Sequence, residues 1–262
     1  MKIFAVSSFA VSGFAASIVA ASIVVASSSL VASASDGATT VTVKTGGATV
    51  TGKITFDGKR PEPKPLTATP EQQKGCCPEG KSVNVTDPTF QVDEKGGIAN
   101  VLVTIEANGA ELVLPKDPIL LDQRQCVFEP HCTIAPAGAK VAFLNSDNVS
   151  HNVHIYAAKN DSFNDTIAAG ARKEVVFAKA EKIQIKCDIH PWMSSYLFVV
   201  DTPYAALTKA DGTFSISGLK PGTYKLKLWH EALGRGGAQA VVKDDGTCAP
   251  IEVKMAEPKK KG

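Results

Sequence analysis

From about residue 45 onward, no stretch carries the apolar period of a long amphipathic helix. Short β-branched or aromatic runs recur instead, separated by clusters of Gly, Pro, Asn and Asp. They include "TVTGKITF" (49–56), "ANVLVTIE" (99–106), "KVAFLN" (140–145), "HNVHIY" (151–156), "KEVVFA" (173–178), "KIQIKC" (182–187) and "YLFVVD" (196–201). Two more, "GTFSISGL" and "GTYKLKLWH", meet at Lys220-Pro221-Gly222, which predicts a hairpin turn. A chain punctuated in this way folds as an all-β sandwich or barrel. The segment 59–81 is rich in Pro and Lys and reads as an extended loop.

With 262 residues, the chain has room for one large domain or two small ones, and a hydrophobic content of 44% supports a sizeable core. A net charge of only +2 gives no basis for a nucleic-acid partner. The first 34 residues differ in kind: Lys2 is followed by an uncharged run of Ala, Ser, Val, Ile and Phe. Ala32-Ser33-Ala34 fits a secretory cleavage site, so the expectation is a signal peptide over 1–34, a mature chain starting near Ser35 and no stable membrane insertion afterwards. The destination is then periplasmic or extracellular, across the inner membrane of a bacterial-type cell. An uncleaved anchor is the alternative, because the run is long.

Export implies disulfides. The six cysteines are Cys76, Cys77, Cys126, Cys132, Cys187 and Cys248. Adjacent Cys76 and Cys77 are poorly placed to bond to each other, and one of them is expected to bridge to Cys126. The sequence leaves the remaining connectivity open.

The segment "IKCDIHPWMSSYLFVVD" (185–201) sets Cys187, His190 and Met193 three residues apart at a turn between two predicted strands. A turn lets such side chains converge, which the period of two in a straight strand forbids. Upstream, His151 and His154 stand at an odd spacing on one strand and so face opposite sides. Only one of them is expected to join the site unless a bulge intervenes, which makes a zinc site of one Cys and three His awkward. One thiolate, two imidazoles and one thioether suit copper rather than zinc.

These motifs resemble the cupredoxins, and among them the amicyanin-like members, whose ligand loop has the same Cys-x2-His-x2-Met spacing. The "HNVH" segment matches that family, in which the first histidine of the run is the ligand. "VFEPHCTIAPAGAKVAFLNSD" (127–147) is similar to the family's early strands. The resemblance covers about 118–201 and implies a Greek-key sandwich with a mononuclear type 1 (blue) Cu site held by His151, Cys187, His190 and Met193. It also implies that Asn152 ties the two ligand loops together. Ser150 stands where the family usually has proline, and Trp192 where it usually has phenylalanine.

A second set of motifs, "TGKITFDGKRP" and "ALTKADGTFSISGLKPGTYKLKLWHE", resembles the carboxypeptidase regulatory-like, prealbumin-type β-sandwich. "ANVLVTIE" fits its middle strand, and the copper segment falls in the gap that follows. The expected organisation is therefore 46–117 and 202–257 as the two parts of that sandwich, with a cupredoxin domain at 118–201 inserted in or adjoining it. Trp229, His230 and Glu231 are expected to cap the sandwich. His131, beside Cys132, is read as structural, with an auxiliary metal contact as the other reading.

The function implied is electron carriage by an exported blue copper protein, Cu(I) and Cu(II) alternating, with no enzymatic activity. The resemblance implies that the loop bearing His190 reaches the surface. A redox partner is then expected to dock transiently near His190, Pro191 and Trp192. Copper delivery, or an envelope binding module with a merely structural copper-type fold, are the alternatives. A Cys187–His190 nucleophilic pair lacks an orienting partner and leaves Met193 without a role.

Overall fold

Burial alternates residue by residue along most strands, as pleated backbone with one face on a core requires. The computed structural model describes residues 47–66, 68, 76, 86–107 and 111–258. The N-terminal segment, Cys77, the lysines at 259–261 and most of the loop at 67–85 lie outside the described residues. Those described belong to one compact unit, Ser35–Gly262. No helix among them is long and apolar enough to cross a membrane.

The chain begins with β1 (Ala48–Phe56) and β2 (Leu102–Ile105). Then come β3 (Ile119–Arg124), β4 (Val127–Glu129), β5 (Cys132–Pro136), β6 (Lys140–Asn145), β7 (His151–Tyr156) and β8 (Asn164–Ile167). β9 (Arg172–Val176), β10 (Glu181–Lys186) and β11 (Ser194–Val200) follow. The last five are β12 (Ala205–Leu207), β13 (Thr213–Leu219), β14 (Gly222–His230), β15 (Gly234–Val242) and β16 (Ile251–Met255). The protein is all-β, with one short 3-10 turn at Pro88–Phe90 among the described residues.

Strands β3 to β11 make two sheets, ordered β5-β11-β10-β7-β8 and β4-β3-β6-β9. Leu121, Phe143, Val153, Ile155, Ile183, Ile185 and Leu197 interdigitate between them. The strands on either side in sequence make two other sheets, β13-β1-β16 and β12-β2-β14-β15, around Ile54, Val103, Phe214, Ile216, Leu226 and Leu228. The chain leaves this second pair after β2 and returns at β12, and these two strands are paired antiparallel, Thr104 opposite Ala205. Thr202 Oγ1 donates to the Ile105 carbonyl over 3.0 Å, and the Ile105 N–H to the Tyr204 carbonyl over 2.9 Å, so departure and return are side by side.

A third apolar cluster joins the two pairs of sheets. Along β11, Leu197 and Val199 face the core of β3–β11, while Phe198 and Val200 face Leu102, Ala205 and Leu207 of the other pair. Burial on both faces explains why "YLFVV" is apolar without interruption. Trp229 lies here, its ring centroid 5.0 Å from Tyr196 and 5.4 Å from Phe198. It therefore belongs to the junction rather than to a cap.

The Lys220-Pro221-Gly222 turn does not close a hairpin. β13 and β14 fall in different sheets, so the turn is a corner between layers. Pro-Gly suits either kind of turn. What decides is that Phe214 and Ile216 on one strand, and Leu226 and Leu228 on the other, meet across a shared core. At the preceding turn, Gly212 has φ +80° and a Cβ there would stand 2.3 Å from the Ile54 carbonyl oxygen, so no other residue fits without displacement.

Candidate metal centre

The loop from Cys187 to Met193 links β10 to β11 and folds back on itself. The Cys187 N–H donates to the Met193 carbonyl (3.2 Å), and the Met193 N–H to the His190 carbonyl (2.8 Å). These two bonds turn the side chains spaced three apart toward one interior. His151 reaches the same place from the first position of β7, whose alternation buries His151, Val153 and Ile155 and turns His154 outward. His151, Cys187, His190 and Met193 are all buried, none more than 5% exposed.

The donor atoms converge. His151 Nδ1 lies 2.9 Å from His190 Nδ1, a separation at which at most one of them carries a proton. Cys187 Sγ is 3.7 Å from His190 Nδ1 and accepts the Asn152 N–H at 3.3 Å. Burial opposes ionisation of the Cys187 thiol, but hydrogen bonds with His151, His190 and Asn152 outweigh it and bring it down to about 6. Met193 packs in the same apolar cluster as Cys187.

The ring of His151 is oriented from behind. Its Nε2 faces Asp147 Oδ2 at 2.8 Å, which leaves Nδ1 pointing into the site. Burial alone would lower the His151 pKa and raise that of Asp147; their mutual hydrogen bond, together with Cys187 beside His151 and the Cys126 and Gln125 N–H groups on Asp147, reverses both shifts. Asp147 is held in turn by the N–H groups of Gln125 (2.6 Å) and Cys126 (2.8 Å). Asp147 is not among the residues the motifs point to; its signal in the sequence is an acidic side chain four positions before His151 in "NSDNVSH".

Asn152 does tie the loops, but through its backbone, while its amide reaches Thr166 Oγ1 at 3.4 Å. The side-chain tie is Asp188, which accepts from Asn164 (2.6 Å) and pairs with His154 Nδ1 (3.0 Å).

Cys76 is joined to Cys126. Their sulfurs lie within 4.8 Å of a donor atom of His190, and this bridge leaves His190 only 5% exposed. Trp192 is half-buried, its Nε1–H donating to the Cys126 carbonyl at 2.8 Å and its ring centroid 5.1 Å from that of His190. Ile189 and Pro191 are the exposed apolar residues of the loop. Cys132, Cys187 and Cys248 are free thiols.

Several groupings of His, Cys, Asp and Glu could in principle chelate a metal: His151–Cys187–His190, His131–Cys132–Glu231, and two that include Cys126. In the last two, Cys126 is a disulfide sulfur and offers no thiolate. The His151–Cys187–His190 group supplies two imidazole nitrogens and a thiol poised to ionise, a set suited to a borderline-soft transition metal.

No family model matches the chain, and no curated protein matches it. Solved structures do. A copper-containing nitrite reductase from Thermus scotoductus SA-01 is 23% identical at a TM-score of 0.31, over 37% of this chain and 25% of the reductase. A purple cupredoxin from Nitrosopumilus maritimus is 22% identical at 0.28, over 31% of this chain and 99% of its own. A Cu(I) amicyanin variant is 18% identical at 0.31, over 37% of this chain and 98% of its own. This chain thus spans only a quarter of the reductase's length.

Proposed function

We propose that the protein is an exported type 1 copper protein that carries single electrons between redox partners and is not an enzyme. The observation that carries this reading is the buried convergence of His151 Nδ1, His190 Nδ1 and Cys187 Sγ. His151, Cys187 and His190 would hold the ion, with the thioether of Met193 as a weak further donor. A copper ion there would supply the Cu(I)/Cu(II) couple.

The chain's own residues prepare the site. Asp147 fixes the His151 ring with its Nδ1 lone pair inward, and the Asn152 N–H holds the thiolate. Because Cys187 is already acidic, metal need not displace a tightly held proton. The two packed sheets around these residues would hold their positions through a change of oxidation state, which favours fast transfer.

With His190 covered by the disulfide, the partner docks on exposed Ile189 and Pro191. The Trp192 ring then lies beside His190 on the way in. Small, briefly formed interfaces of this kind are usual for electron transfer. Export follows from the cleavage motif before Ser35, and the second pair of sheets is read as the prealbumin-type sandwich. Burial of all four ligands favours a carrier over a copper-delivery protein, which must release its metal readily. The test is retention of copper against a chelator through repeated reduction and oxidation. A carrier keeps its copper over many cycles, whereas a delivery protein loses it.

A further inference from the structure

His131 precedes β5 of the inserted sandwich, Cys132 opens it, and Glu231 follows β14 of the other. They meet at the junction between the two. A ring nitrogen of His131, Cys132 Sγ and a carboxylate oxygen of Glu231 lie within 4.8 Å of one another. Their orientation is that of ligands. His131 Nδ1 faces the Ser194 carbonyl at 3.1 Å and so carries the hydrogen. Nε2 is left turned to Glu231 Oε1. An imidazole anchored through one nitrogen to a backbone carbonyl, with the other aimed at anionic donors, is the usual outer-shell arrangement of a metal-bound histidine.

Burial sharpens the point. The side chains of His131 and Glu231 are 6% and 13% exposed, and Cys132 is 2% exposed. His230, next in sequence to Glu231, is not part of the group: its Nδ1 accepts the Ala232 N–H at 3.2 Å, and its ring also bonds to the Ala99 backbone. Cys132 packs in the apolar junction cluster and sets its sulfur beside the His131–Glu231 pair. A divalent ion with neutral His131, the Cys132 thiolate and the Glu231 carboxylate makes a net-neutral buried unit, which avoids the cost of uncompensated charge.

We propose that His131, Cys132 and Glu231 form a second metal site, separate from the His151–Cys187–His190 centre, that binds a zinc-like divalent ion and clamps the two sandwiches together. Imidazole, thiolate and carboxylate are all zinc donors, and three protein ligands leave a fourth position for water. On binding, the thiol loses its proton to solvent and no oxidation is involved. The partly exposed edge of Glu231 gives the ion its way in.

Cobalt(II) alone is the probe, since a thiolate bound to it gives a charge-transfer band that imidazole and carboxylate do not. The full chain carrying Cys187→Ala removes the thiolate of the first site, so a thiolate band cannot arise there, and cobalt held by His151 and His190 alone adds none. This variant is expected to take up one equivalent of cobalt with a thiolate band, displaced by zinc. Adding Cys132→Ser should abolish the band, and adding Glu231→Gln, which preserves shape, should weaken or abolish cobalt uptake with the fold intact. Absence of the band in Cys187→Ala, its persistence in Cys187→Ala/Cys132→Ser, or unchanged uptake in Cys187→Ala/Glu231→Gln would overturn the proposal and leave an ion pair only.

Discussion

His151 Nε2 and Asp147 Oδ2 lie 2.8 Å apart, and this contact decides which imidazole nitrogen faces Cys187 and His190. The carboxylate thus sets the site's geometry without entering it. Asp147→Ala frees the ring to rotate, and copper affinity should fall by about 10- to 100-fold. Competition with a copper chelator measures it, with Asp147→Asn, which keeps an acceptor oxygen, losing less.

Met193 should tune the metal rather than hold it. Met193→Gln is expected to keep copper and colour while lowering the reduction potential, because an amide oxygen is a harder donor that favours Cu(II). His154→Ala is expected to change neither property, as that ring pairs with Asp188 on the outer face. Voltammetry and absorption on the two variants check both statements. A bleached His154→Ala beside a coloured His151→Ala would place the ligand on the wrong strand face.

The Cys76–Cys126 bridge closes a loop with a sequence separation of 50. In the chain-entropy account such a loop contributes about 4 kcal/mol. A Cys76→Ala/Cys126→Ala variant should therefore unfold at markedly lower denaturant. Opening the cover over His190 should also speed electron exchange with small anionic or cationic oxidants. Stopped-flow oxidation of the two forms tests this; equal rates would mean that the bridge does not screen His190.

His230 is held neutral. Burial, then the nearby His131, lower its pKa from 6.5 to about 4. Above about 6.5 neither folded nor unfolded chain carries the proton, and below about 4 both do. Between these values only the unfolded chain binds it, so stability falls as pH drops through this window, by about 3 kcal/mol in all. Urea unfolding at pH 7 and pH 4.5 should show the loss, and His230→Gln should reduce it.

Because Thr104 and Ala205 are paired, excising residues 107–201 and rejoining the ends through a short turn should leave a folded β module. Circular dichroism of the product decides; an unfolded product would mean that the sheets β13-β1-β16 and β12-β2-β14-β15 depend on the excised strands.

The pattern of the chain made much of this legible. "HNVHIY" and "GTYKLKLWH" coincide with β7 and β14 because each alternates against one core. β15, "GRGGAQAVV", escaped notice because its glycines and exposed positions carry little apolar signal; its partner β14 supplies the order. The burial of His190 was not readable either. The Cys76–Cys126 bridge is expected from the sequence, but no local pattern reports that it and the Trp192 ring close against His190. Likewise Glu231 meets His131 only because β11 packs on both faces, a property of the assembled junction rather than of any one segment.

The most direct measurement is the visible absorption and electron paramagnetic resonance of the copper(II)-loaded protein, compared with Cys187→Ser. The account predicts an intense thiolate-to-copper band with a narrow copper hyperfine splitting, both lost on replacing the thiol by a hydroxyl. A colourless protein with ordinary tetragonal copper signals, or a spectrum unchanged in Cys187→Ser, would contradict it.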